Sequence, residues 1–194
     1  MRSCAAVLVL LAAAGPACLK ADIITIDFEG FPDGTSLTTQ YPGLTFSNAT
    51  IITAGISLNE FEFPPHSGSN ASFDDGGPIS IAFASPILSF GAYFTYAEPL
   101  TLAAFDATSA QVATAASLFS NNEALSGDTG SSPDEFLQVS FASGISSVTI
   151  TGDPLGGSFT MDDATYTSAV PEPNSLILIL TITAGLIAFH RELV

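Results

Sequence analysis

The side chains able to do chemistry in this chain are almost all carboxylates. Asp and Glu number 19, Lys and Arg number 3, and the formal net charge is −16. The three basic residues are Arg2, Lys20 and Arg191, all close to the chain ends. Of the 19 acids, Glu172 and Glu192 also lie near the C-terminus, so the stretch 22–169 holds the other 17 with no Lys or Arg. Carboxylates that are crowded or buried without cationic partners must be satisfied by backbone N–H groups, hydroxyls, protonation or a metal ion. Calcium suits such a site, because it takes about six to eight oxygen ligands from carboxylates, carbonyls and water. Glu29, Asp162 and Asp163 are the candidate metal ligands. In a regular strand Asp162 and Asp163 would point to opposite faces, so both reach one ion only if a bulge intervenes. Asp163 shares parity with Phe159 and Met161; if those two point inward, it is a carboxylate aimed at the core. Asp74-Asp75-Gly76-Gly77 reads as a plain turn and lacks EF-hand spacing.

His66 is the one histidine between the two ends. Ser67 and Ser69 are its neighbours in sequence, which does not make a catalytic triad. There is no Gly-x-Ser-x-Gly elbow. Two acids about 5–10 Å apart would serve glycoside hydrolysis, and 17 acids make an accidental pair easy. The chain has no Trp, the usual sugar platform. No catalytic residue is assigned, and an enzyme is not expected. His66 and Tyr41 are the candidate ligand-binding pair, the first in a Pro-rich loop and the second an amphipathic aromatic. The acidic balance repels phosphate backbones and anionic headgroups, which excludes nucleic acid as a partner. It disfavours acidic polysaccharides as well, unless a cation bridges.

The elements that must position these residues read as strands. Ile24, Ile26 and Phe28 alternate with Thr25, Asp27 and Glu29. Leu44 and Phe46 open a second strand, continued by Ile51 and Ile52. Ile79, Ile81 and Phe83 form one, and Ile87 to Tyr96 another after Pro86. Leu100, Leu102 and Phe105 follow. Gln111 to Phe119 is Ala- and Thr-rich and reads as strand because its neighbours do. Leu137, Val139 and Phe141 alternate; Ile145, Val148 and Ile150 give a further strand, and Phe159 to Tyr166 the last. Clusters such as Pro32-Asp33-Gly34, Pro64-Pro65-His66-Ser67-Gly68 and Gly152-Asp153-Pro154 are turn signals between them. The expected fold is all-β: an antiparallel β-sandwich or jelly roll of about 8–10 strands, with 15 Phe to fill its core.

Both ends look like targeting segments. Arg2, the apolar run Ala5 to Ala14, and Gly15-Pro16 have the order of a secretory signal peptide, 1–21, with cleavage after Ala17 or Ala21. Cys4 and Cys18 both fall inside it, so no disulfide framework is expected in the mature domain. The domain then spans 22–167, a linker 168–173, and an apolar C-terminal membrane segment 174–194, whose apolar heart is a few residues short of a full span.

The tail carrying Val170-Pro171-Glu172-Pro173, an uncharged apolar run and Arg191 resembles the PEP-CTERM sorting domain of exported proteins in Gram-negative bacteria. The resemblance covers Val170–Arg191, with Pro171, Glu172 and Pro173 as the sorting motif. It implies an exosortase as processing partner, a precursor anchored in the inner membrane, and a mature protein at the cell surface or outside the cell. The tail departs from the family pattern in ending His190-Arg191-Glu192 rather than in a basic cluster, which weakens the positive-inside signal. The core is loosely similar to calcium-stabilised jelly-roll carbohydrate-binding modules, through Asp27-Phe28-Glu29-Gly30, His66-Ser67-Gly68-Ser69-Asn70 and Met161-Asp162-Asp163-Ala164. That similarity implies neighbouring first and last strands, with an acid from each on a structural Ca2+. The expected function is a non-enzymatic, structural or adhesive role in the cell envelope or exopolysaccharide matrix. The alternatives are a carbohydrate-binding module with polysaccharide as partner, and a glycan-active hydrolase.

Overall fold

Two long strands organise the molecule, and each was expected to be two. β6 (Ile79–Tyr96) runs for 18 residues and β9 (Glu135–Thr151) for 17. Proline removes a ladder donor and usually ends a central strand, but β6 passes through Pro86. The ladder with β9 lapses between Ala82 and Ile87, where the register shifts. Gly144 of β9 lies at the lapse with φ 104°, and a Cβ there would stand 2.8 Å from Pro86 Cβ. Bare backbone opposite the proline ring lets both strands change partners at this point without breaking.

The computed structural model describes residues 22–168. The expected signal peptide, the Pro171-Glu172-Pro173 motif and the membrane segment lie outside these residues. On one side of the break, β6 pairs with β3 (Leu44–Ser47) and with the second half of β9, which continues through β7 (Thr101–Phe105) to β8 (Gln111–Ala116). On the other side, β6 pairs with the first half of β9 and with β10 (Phe159–Ser168). The far edge of β10 carries β5 (Asn70–Asp74), β4 (Ala49–Thr53) and β2 (Ser36–Leu37) at one end, and β1 (Ile23–Ile26) at the other. Every named pair is antiparallel, and no helix occurs among the described residues. The first and last strands are neighbours. Ile79, Ile81, Phe90, Phe94, Leu102, Val148, Ile150, Phe159 and Met161 share one core. Each fully buried aliphatic or Phe side chain contributes about 1.5–3 kcal/mol to holding the strands around this core.

Local chemistry sets the remaining boundaries. β1 stops at Ile26, and Phe28 does not continue the alternation. The Asp27 carboxylate accepts the Glu29 N–H, a side-chain turn, and Phe28 takes a left-handed φ of 59° that drops its ring into the core. Leu44 to Ile52 is likewise two strands, separated by Asn48 at φ 57°. β5 was not expected at all. Its inward row is Asn70, Ser72 and Asp74, which inverts the usual pattern of apolar residues inside.

Candidate functional site

β10 departs from regular pairing with β6 between Asp162 and Thr165. Phe159 and Met161 point into the core, as do Ala164, which pairs with Ile26 of β1, and Tyr166. Asp162 is the last residue in register before the irregularity and Asp163 lies within it, with a φ of 42°. Because of this bulge both carboxylates reach the same loop, 64–70. Asp162, opposite Tyr93 in register, is the buried one at 3% exposure. Asp163, which simple parity aimed at the core, is half-buried.

The loop is fastened by carboxylates of β10 and of the turn after β1. Asp162 accepts the Ser67 N–H at 2.9 Å and the Asp163 N–H at 2.7 Å. Asp163 accepts the Ser67 hydroxyl at 3.1 Å and faces His66 Nδ1 at 2.6 Å. Glu29 Oε1 accepts the N–H groups of Ser69 and Asn70, both at 2.7 Å. Gly68 belongs here for steric reasons, since a Cβ at that position would run into the Glu29 carboxylate. Asn70 continues the join by donating to the carbonyls of Phe28 and Phe31. Burial pushes the Asp162 carboxyl up to about 6, against the pull of the Ser67 and Asp163 N–H groups. Asp134, on the approach to β9, is also raised by burial, with His66 and Thr95 pulling it back.

The three acids expected to hold calcium are therefore gathered at one loop, and their partners are N–H and O–H donors and an imidazole. A cation would have to displace those donors or use Glu29 Oε2 with backbone carbonyls. Among the described residues, no three His, Cys, Asp or Glu side chains stand in a metal-holding arrangement.

His66 places its ring flat on Tyr93, with centroids 3.5 Å apart and planes within 10°. Tyr93 pairs in register with Phe136 of β9, their rings 5.0 Å apart. Tyr93 is out of phase with the inward Phe94 and Tyr96 only by one residue, so it stands on the opposite, outer face. Phe136 is out of phase with Leu137 and Val139 in the same way and is 42% exposed. Its ring lies across β6 at Gly91, where a Cβ would come within 2.7 Å of Phe136 Cζ. Gln138 and Thr165 flank Gly91 from the two neighbouring strands. The result is a strip on the outer face, His66–Tyr93–Phe136, rimmed by Gln138, Thr165 and Asp163.

Tyr41 belongs to a different aromatic group, with Phe28 at 6.2 Å, Phe31 at 5.5 Å and Phe46 at 5.9 Å. Its hydroxyl is buried without a hydrogen-bond partner, and burial, with Asp27 adding to it, pushes its pKa up to about 12. Of the expected ligand pair, His66 is on the outer strip and Tyr41 packs against the core. Phe136 and Gly91 were missed in sequence. The signal for Phe136 was its phase, an aromatic at the solvent-facing position of an alternating strand.

These features define an all-β domain with an exposed aromatic strip on one face and acids along its margin. No known family matches the chain, and no curated protein matches it in sequence. Among solved structures, the K2 cleaved adhesin domain of Lys-gingipain (Kgp) aligns with 13% identity over 75% of this chain and 99% of that one, at a TM-score of 0.48. A family 29 carbohydrate-binding module from Piromyces equi, CBM29_1, aligns with 10% identity over 78% of this chain and 93% of that one, at 0.41. A family 6 carbohydrate-binding module aligns with 10% identity over 77% and 95%, at 0.38. At these values no ligand or activity carries across.

Proposed function

We propose that this is an exported, non-catalytic binding domain with an adhesive role in an extracellular polysaccharide matrix, taking glycan on its outer aromatic strip. The observation behind this is the Phe136 ring, lying exposed across the bare backbone of Gly91 and continuous with Tyr93 and His66. A flat apolar ring offers a surface to the C–H face of a sugar, and Gln138, Thr165 and Asp163 supply hydrogen-bonding groups around it. Export and surface sorting rest on the two targeting ends, with an exosortase acting at Pro171-Glu172-Pro173. The overall jelly-roll arrangement is part of the same reading. The test is a glycan array and affinity electrophoresis on the domain 21–169, which is one compact unit with its own core. Binding that Phe136→Ala removes supports the proposal. Failure to retain any glycan overturns it.

Calcium enters as an accessory proposal at Glu29, Asp162 and Asp163, supported by their convergence on one loop. A fall in melting temperature on EDTA treatment, abolished in Asp163→Ala, supports it. An unchanged melting curve removes calcium from the reading.

A further inference from the structure

Resting on glycan binding at the outer strip, we propose that the preferred glycan is cationic, a polymer of hexosamine units with free amino groups. The first ground is charge. The described residues contain no Lys or Arg, and His66 is their one side chain able to carry a positive charge. The acids therefore have almost no internal counter-charge, and neutralisation has to come from solvent ions or from a ligand.

The second ground is where the acids stand. Asp163 of β10 lies against His66, which covers Tyr93. Asp162 lies beneath the same loop, and Asp134 is close enough to His66 for the two to interact. The half-buried Asp134 and Asp163, His66, and the uncharged Gln138, Thr165 and Ser67 stand around the strip, while Asp162 and Thr95 are buried beneath it. Glu135 alternates to the other face, where it meets the Tyr96 hydroxyl and the Leu118 N–H. One open aromatic ring, with the Asp163 carboxylate across Tyr93 and His66 from it, fits a polymer whose sugar C–H face stacks while an ammonium reaches the carboxylate. The ring itself adds attraction for an ammonium. A uronate or sulfated polymer meets the same field with the wrong sign.

The field also reaches past the strip. Charges within about 8–10 Å act on one another at ordinary ionic strength, and the whole described domain is acidic. A polycationic chain thus gains both at the ring and along the flanking surface, whereas its neutral counterpart gains only at the ring.

The experiment compares a glucosamine hexamer with its fully N-acetylated counterpart by titration calorimetry at pH 6, in 50 and 500 mM salt. The proteins are the wild-type domain and Phe136→Ala, a substitution at an exposed position that leaves the core intact. The expected result is that the free-amine hexamer binds about tenfold more tightly at 50 mM salt, that this advantage shrinks at 500 mM, and that Phe136→Ala loses most binding of both sugars. Equal affinity for the two hexamers overturns the cationic preference and leaves glycan binding standing. Free-amine binding that is unchanged in Phe136→Ala overturns the assignment to this face. If neither hexamer nor any other glycan binds, both readings fall together.

Discussion

Two acidic regions of this domain solve the same problem in different ways. At one end of β5, Asp74 is fully buried and accepts the Ser158 N–H and hydroxyl at 2.9 Å and the Phe159 N–H at 3.0 Å, while its own carbonyl receives the Gly157 N–H. Around β10, Asp162 and Asp163 also hold a loop through N–H and O–H donors, but that loop carries His66 and opens onto an aromatic strip. Asp74 has nothing to offer a ligand, because its oxygens are spent inside. The second region spends most of its oxygens as well, yet leaves a ring, an imidazole and the half-buried Asp163 near the surface. A buried carboxylate with donors on every side is an anchor; one at a bulge on an outer face also shapes a site.

The comparison is sharpest at Asp74. Asp74→Ala leaves three donors buried without partners and is expected to cost about 3 kcal/mol, about 10 °C in melting temperature for a domain of this size. A loss below about 1 kcal/mol would remove its status as the main anchor. Asp162→Ala is expected to cost less, about 1–2 kcal/mol, because the Ser67 N–H it frees lies nearer water. Equal losses at the two positions would erase the distinction drawn between them.

The pH dependence follows from the raised carboxyls. Asp162 has its folded pKa pushed up to about 6, above the usual carboxylate value, so the folded state binds its proton more readily than the unfolded chain. Stability therefore falls as pH rises through roughly 4 to 6 and is fullest below that window. Asp74 and Asp134 are raised by burial in the same direction. Lowering the pH from 7.5 to 4.5 is expected to raise the melting temperature by a few degrees, on the order of 1–2 kcal/mol from Asp162 after allowance for screening. Asp162→Asn should flatten that slope. A melting temperature that drops on acidification to pH 4.5 would contradict the burial-driven shift. The smallest stability change is expected at Phe136: Phe136→Ala should alter folding by under about 1 kcal/mol while removing glycan retention, measured by melting and affinity electrophoresis side by side.

The two regions also differ in how legible they were. Glu29, Asp162 and Asp163 stood out as carboxylates of the first and last strands in a stretch with no Lys or Arg to pair them, and the need for a bulge was plain from parity. Which of the pair would be buried was not legible, since the bulge reverses the parity rule at Asp163. Asp74 looked like a turn residue. Its partners lie 84 and 85 positions away, and its strand carries polar residues inward, so no local pattern marks it. Asn122 is the same case: buried, it accepts the Tyr96 N–H and donates to the Phe94 and Ser132 carbonyls, and nothing in Asn121-Asn122-Glu123 announces this. Tyr41 stood out as an amphipathic aromatic, yet its ring was claimed by three phenylalanines brought together from distant segments.

The sequence by itself determined an all-β chain, most of its strands, and an acidic character without Lys or Arg between residues 22 and 169. Those are properties of composition and of the period-two alternation that a strand with one buried face imposes. Only the tertiary structure decided that Pro86 would meet Gly144 and make one strand of two, that a bulge would turn both Asp162 and Asp163 onto one loop, and that Phe136 would lie over Gly91 beside Tyr93 and His66. Each of these depends on which backbone lies opposite which, and pairing register is a relation between segments that no single segment carries.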